Sequence, residues 1–175
     1  MSEQRLTAAT FEELAMPLFD QLYNFAHWLT QDRSEAEDLI QETYAKALRG
    51  FASFQPGTNF RAWMYRILRN TFVTSRTGLK ANATVPLEDE GGAESVSTTA
   101  TPETLFIERA QEEMLQQAIN ELPVHFREIL LLCETEEMSY QEIAETLSIP
   151  VGTVMSRLSR ARKALREIVR KKIGS

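Results

Sequence analysis

The stretch from Ser139 to Leu165, SYQEIAETLSIPVGTVMSRLSRARKAL, leaves room for little except a short helix, a tight turn and a second helix. Ser139 and Glu142 form an S-x-x-E capping box, which opens a helix at Tyr140. Ile143, Ala144 and Leu147 give that helix one apolar face. Ser148-Ile149-Pro150 ends it, since Pro150 has no N–H for the helix behind it and suits the first turn of a new one. In the second helix Val151, Val154, Leu158, Ala161, Leu165 and Ile168 recur at spacings of three and four, a continuous core stripe. The opposite face carries Ser156, Ser159, Arg160 and Lys163, with Met155 beside them. A helix buried on one side and basic on the other suits a DNA major groove. Arg157, Arg160, Arg162, Lys163, Arg166, Arg170, Lys171 and Lys172 meet a single acid, Glu167. Offsetting a helix dipole involves one turn, not four, so the basic face is read as a nucleic-acid surface.

No period-two pattern appears anywhere, and the chain reads as all-α. Thr10 and Glu13 suggest a capping box ahead of Phe11, Leu14, Leu18, Leu22, Phe25 and Leu29, with Pro17 kinking or restarting that helix. Ser34 and Glu37 suggest another, with Leu39, Ile40, Thr43, Tyr44, Ala47, Leu48 and Phe51 turned inward. The segment from Ser53 to Asn59 is a loop by its Pro-Gly chemistry. A third helix buries Phe60, Met64, Ile67, Leu68 and Thr71. Composition then shifts: residues 81–101 are rich in Gly, Ser, Thr and acids, with little to bury, and read as a flexible acidic linker. Helix resumes at Thr101-Pro102-Glu103, and Pro123 restarts the chain into Phe126, Ile129, Leu130 and Cys133. The expected organisation is two small helical domains, 8–80 and 102–173, joined by that tether.

The formal net charge of −6 is odd for a DNA binder until its distribution is considered. Residues 81–121 hold nine acids against Arg109 alone, whereas the C-terminal helix is strongly positive. Salt screens charge beyond about 8–10 Å, so local charge governs phosphate attraction.

Several classes are disfavoured. The lone cysteine, Cys133, sits in an apolar run and cannot form an internal disulfide. There is no Gly-rich phosphate loop, Cys pair or Glu-x-x-His repeat; His27 and His125 read as packing or surface residues. No catalytic residue, metal or cofactor is expected. No run of about 18 apolar residues exists and the N-terminus lacks the order of a signal peptide, which point to a cytoplasmic chain without membrane insertion.

Three motifs, AEDLIQETYAKAL (36–48), FRAWMYRILRNTF (60–72) and LPVHFREILLLCETEEMSYQEIAETLSIPVGTVMSRLSRARKAL (122–165), together resemble the extracytoplasmic-function (group IV) sigma factors of bacterial RNA polymerase, in that family's order. The resemblance implies that the first domain binds a coiled coil of the polymerase's largest subunit and opens the minus-ten element. The second would read the minus-thirty-five element and meet the polymerase flap. Asp38, Leu39, Gln41 and Glu42 would then belong to the polymerase contact. Capturing an unstacked base calls for rings and amides, and makes Asn59, Trp63, Tyr65, Arg66, Arg69, Asn70 and Arg76 the minus-ten candidates, with Arg69 and Arg76 on phosphates. Met155, Ser156 and Ser159 are the candidate readers at minus thirty-five; Thr153, Arg157, Arg160, Arg162 and Lys163 reach phosphates or base edges. A relaxed tether of this length spans roughly 25–30 Å, less than one duplex turn of about 34 Å, so polymerase must hold the domains apart. Control is expected in trans from an anti-sigma factor. The alternative is a stand-alone helix-turn-helix regulator, which would have no use for the first two motifs.

Overall fold

The computed structural model describes residues 10–82 and 102–174, and the side chains of 10–77 and 109–174. Every regular element among them is helical. A short helix α1 (residues 10–15) passes through a 3₁₀ turn, Met16–Leu18, into α2 (Phe19–Thr30). Pro17 occupies that turn, where its missing N–H breaks the α-helical ladder as expected. The hydroxyl of Tyr44 donates to the Ala15 carbonyl at 2.7 Å and fixes the bend. Burial, helped by Asp20, pushes that phenol up to about 12.

The corner into α3 (Arg33–Gly50) corrects one expectation. Asp32, not Ser34, caps the helix: its carboxylate accepts from the Glu35 N–H at 2.9 Å, and Ser34 already lies inside the first turn. Gln31 takes the left-handed conformation just before it (φ 58°), where the chain reverses. Ala36, Leu39, Ile40, Thr43 and Ala47 are buried, but Leu48 is 53% exposed. At about 100° per residue, Leu48 lies roughly 120° from the centre of that stripe. After the loop, α4 (Phe60–Asn82) buries Met64, Tyr65, Leu68, Thr71 and Phe72.

The second module comprises α5 (Pro102–Glu121), α6 (Val124–Leu130), a π-turn (Leu131–Thr135), α7 (Tyr140–Leu147) and α8 (Val151–Gly174). The capping box at α7 is complete: Glu142 N–H donates to Ser139 Oγ at 3.1 Å, and Ser139 N–H to Glu142 Oε1 at 3.2 Å. Ser148 ends α7 in the left-handed region (φ 56°). Pro150 stands just ahead of α8 rather than within its first turn; its carbonyl accepts from the Thr153 and Val154 amides at 3.0 and 3.1 Å. Val154, Leu158 and Ala161 are fully buried along the expected stripe.

Of the tether expected over 81–101, residues 81 and 82 lie in α4 and residues 83–101 are outside the described residues. The two modules are not strung apart. Helix α4 packs on α7, the end of α2 meets α6, and buried side chains of both modules form one cluster.

Candidate nucleic-acid interface and docking groove

On α8 the side chains expected on the face opposite the core stripe are exposed. Met155 (56% exposed), Ser156, Ser159, Arg160 and Lys163 point to solvent, while Thr153 and Arg157 are half-buried at the edge of the stripe. Arg162 is half-buried and engaged: it donates to Glu134 Oε1 at 2.9 Å and lies 3.6 Å from Cys133 Sγ. Cys133 is partly exposed rather than enclosed; burial pushes its thiol up, Glu134 adds to that, and Arg162 opposes it. A thiol held protonated in this way is a poor nucleophile.

One polymerase candidate, Gln41, lines a mostly apolar groove of about 750 Å³ together with Met16, Phe19, Tyr23, Arg33, Glu37, Ile40 and Tyr44. Asp38, Gln41 and Glu42 are exposed on α3, and Glu42 pairs with Lys46 at 3.4 Å. Leu39 is buried in the core and is withheld from any partner that docks on the surface. It belongs to the same stripe as Ala36 and Thr43, which is why it turns inward.

The minus-ten candidates divide. Arg66 and Asn70 are exposed on α4. Trp63 is half-buried, its ring 5.2–6.5 Å from those of Phe51, Phe54 and Phe60 in an aromatic cluster beneath the loop. Asn59 caps α4, accepting from the Ala62 amide at 3.0 Å, and its side-chain amide donates to Glu142 of the other module at 2.7 Å. Arg76 lies over the Phe72 ring and pairs with Glu35 at 3.2 Å.

Tyr65 is the plainest departure. An exposed base-stacking ring was expected, yet Tyr65 is fully buried, edge-on to Phe25 at 5.3 Å, with its hydroxyl donating to Glu136 at 2.6 Å. Burial first, and then the Glu136 carboxylate, push this phenol far above its ordinary value. Arg69 is likewise engaged, donating through Nε and Nη2 to the two oxygens of Glu128 at 3.3 and 3.4 Å. Both are thus engaged by carboxylates of the second module, although the Arg69 side chain stays partly exposed.

Sequence reasoning missed Arg61, Arg127, Glu128 and Glu136. Arg127 is buried and donates to four carbonyls: Trp28 (3.1 Å) and Leu29 (3.3 Å) at the end of α2, and Asn120 (3.2 Å) and Leu122 (3.1 Å) beside α5. A guanidinium with its five donors suits such a convergence of carbonyls. Glu128 is 1% exposed; burial raises its carboxyl against the opposing pull of Arg69 and Arg157. Arg61 donates to the carbonyl of Glu136 and pairs with its carboxylate at 3.4 Å. The available signal was Arg127-Glu128 interrupting the apolar run from Phe126 to Leu132, because charged residues are rarely enclosed unless paired.

Residues 14–80 match the Sigma-70 region 2 family model, and residues 112–165 match Sigma-70, region 4. The chain is 36% identical over 174 residues to the ECF RNA polymerase sigma factor SigE of Mycolicibacterium smegmatis, covering 93% of this chain and 66% of that relative. It is 32% identical over 159 residues to the RNA polymerase sigma factor YlaC of Bacillus subtilis, covering 90% and 91%. Among solved structures it resembles the sigma factor RpoE in complex with the anti-sigma factor NepR from Bartonella quintana. That similarity has a TM-score of 0.75 and 28% identity, and covers 92% of this chain and 97% of the other. CnrH, solved with the cytosolic domain of CnrY, shares the fold at a TM-score of 0.62 and 22% identity over 95% and 96% of the two chains. The chain belongs to the sigma-70 family, in its extracytoplasmic-function class.

Proposed function

We propose that this chain binds core RNA polymerase and directs it to promoters, with α8 reading the upstream element and the α4 module capturing the melted downstream one. The observation that carries the reading is the presence in one chain, in order, of a region 2 module with an apolar docking groove and a region 4 module with an exposed basic helix. The groove between α2 and α3 takes a polymerase helix, with Asp38, Gln41 and Glu42 supplying polar contacts at its edge. On α8, Ser156 and Ser159 offer hydroxyls to base edges, and exposed Met155 offers an apolar contact to a thymine methyl. Arg157, Arg160 and Lys163 neutralise phosphates, with Thr153 and the amides at the helix start beside them.

Catalysis belongs to the polymerase and the chain works as its specificity factor, in the cytoplasm where polymerase and DNA are found. An anti-sigma factor controlling it would cover the docking face of α2 and α3; the RpoE relative is held by such a partner. A stand-alone helix-turn-helix regulator would leave the region 2 module without a task.

The test is transcription by purified core polymerase on fragmented genomic DNA, with and without the chain, followed by sequencing of RNA 5′ ends. New start sites sharing two upstream elements are the expected result. An unchanged set of starts overturns the proposal.

A further inference from the structure

Helix α8 is longer than the reading of one groove requires. It runs unbroken for 24 residues, Val151–Gly174, about 36 Å at 1.5 Å per residue. The candidate base readers, Met155, Ser156 and Ser159, all lie in its N-terminal half. The C-terminal half is firmly held on one side. Leu165 and Ile168 are half-buried and carry the apolar stripe on along the core, and α5 packs against the helix. Lys172 Nζ donates to Glu121 Oε1 at 2.7 Å and pins the last turn to α5.

The other side of that half is charged. Arg166, Arg170 and Lys171 are exposed, with Glu167 the one acid beside them. None of these three cations makes a hydrogen bond or ion pair among the described residues. Lys171 and Lys172 stand in the last turn, where they offset the helix dipole. Arg166 lies about two turns from the helix end, beyond the reach of that effect. Direction matters as much as charge. At about 100° per residue, Met155, Ser159, Arg166 and Arg170 fall within roughly 60° of one another, so the guanidiniums face whatever Met155 and Ser159 face. Along the axis they stand about 10 and 16 Å beyond Ser159. A major groove about 12 Å wide, winding around the duplex, cannot follow a straight helix that far. With Met155 and Ser159 on base edges, the helix carries Arg166 and Arg170 out over the strand that bounds the groove. There they meet phosphates and not bases.

We propose that the C-terminal half of α8 is a second phosphate-binding strip, in which Arg166 and Arg170, with Lys171 beside them, grip the backbone of duplex DNA flanking the upstream element and add affinity without reading sequence. The proposal rests on the reading of α8 as the helix that enters the major groove, and adds a site outside the element which that helix reads. The line shared with Met155 and Ser159 favours DNA over an acidic protein surface, because a protein docked there would have to share that side with the duplex.

The test uses core polymerase reconstituted with the full chain, and a start site that this assembly directs. Three duplexes carry the upstream element of that site. One ends flush at both edges of the element; the others are extended by about ten base pairs of arbitrary sequence, one helical turn, on one side or the other. Fluorescence anisotropy from about 50 to 200 mM salt gives the salt slope of binding to each. For the wild type, one extended duplex should give a slope steeper than the flush one by about two phosphate contacts. Arg166→Gln with Arg170→Gln should abolish that gain and leave the flush slope unchanged. At about 0.9 per phosphate, the wild type then loses roughly tenfold more affinity than this variant on that duplex over the salt range. Arg166→Lys with Arg170→Lys keeps both charges and should keep the gain; its loss there as well would overturn the strip. A glutamine variant with the wild-type slope on every duplex also overturns it, and leaves these residues to an acidic protein partner. A slope lowered on the flush duplex places the two arginines inside the element and overturns the strip likewise. If the assembly directs no start site, or prefers the element no better than a scrambled duplex of equal length, the reading of α8 as the groove helix fails and the strip falls with it.

Discussion

Replacing Arg69 by Met should uncover how much the enclosed carboxylate of Glu128 costs when it stands alone. Glu128 is 1% exposed and both its oxygens accept from Arg69. Losing one partner of a fully enclosed pair typically costs about 3–5 kcal/mol, because the remaining charge is buried without compensation. The Arg69 side chain is 24% exposed, so water reaches the pair and the expected loss falls to about 2–3 kcal/mol. At about 2–4 °C per kcal/mol for a chain of this size, thermal unfolding should move down by roughly 4–12 °C. Replacing both residues by apolar ones (R69M with E128L) should return most of that loss, since a well-packed apolar pair often matches an ion pair. Urea unfolding followed by helix ellipticity gives the free energies. If R69M unfolds within about 0.5 kcal/mol of the wild type, or the double variant is as unstable as R69M, the reasoning about Glu128 is refuted.

Removal of the α3 cap by Asp32→Ala should cost about 1 kcal/mol in the same urea assay, whereas Ser34→Ala should cost little. Glu128 gives a pH signature: its folded value is raised, so its contribution is full below the ordinary carboxylate range and is lost as pH rises through the raised value. The groups facing it, Arg69 and Arg157, oppose that rise. Stability relative to E128Q should therefore increase as pH falls from neutrality toward about 5, measured by urea unfolding at each pH. Burial pushes Glu142 up, but hydrogen bonds from Asn59 and Ser139 outweigh it and hold that carboxyl low, so its contribution runs the other way, disappearing as pH falls through the lowered value. Arg160→Ala and Lys163→Ala should each reduce the salt slope of duplex binding by about one phosphate contact, read by fluorescence anisotropy over a salt series. Asp38→Ala with Gln41→Ala should abolish capture of core polymerase on a column while leaving the unfolding temperature unchanged, because both side chains are exposed.

What periodicity and capping encode was legible in the sequence. The α7–α8 unit emerged nearly residue for residue, because Ser139-x-x-Glu142 and the Ser148-Ile149-Pro150 break are local signals. The basic face of α8 was legible for the same reason. The cap of α3 was misplaced because Asp32 and Ser34 are both capable acceptors, and only the left-handed Gln31 ahead of Asp32 decides between them. Tyr65 was left out of the expected core for a different reason. Tyr65 lies next to the stripe of Met64 and Leu68, and its burial depends on Glu136, 71 residues away. No window on the sequence contains both partners. Arg127 and Glu128 left only the mark of charge within an apolar run, and their partners likewise come from distant helices.

The central claim is that two helical modules read opposite ends of a promoter at a separation fixed by polymerase, and spacing tests it most directly. Start sites found with core polymerase and this chain would be rebuilt with base pairs inserted one at a time between their two elements. The account predicts that transcript yield peaks at one spacing and collapses when about half a helical turn, roughly five base pairs, is added. Yield indifferent to spacing, or no transcript at any spacing, would contradict it.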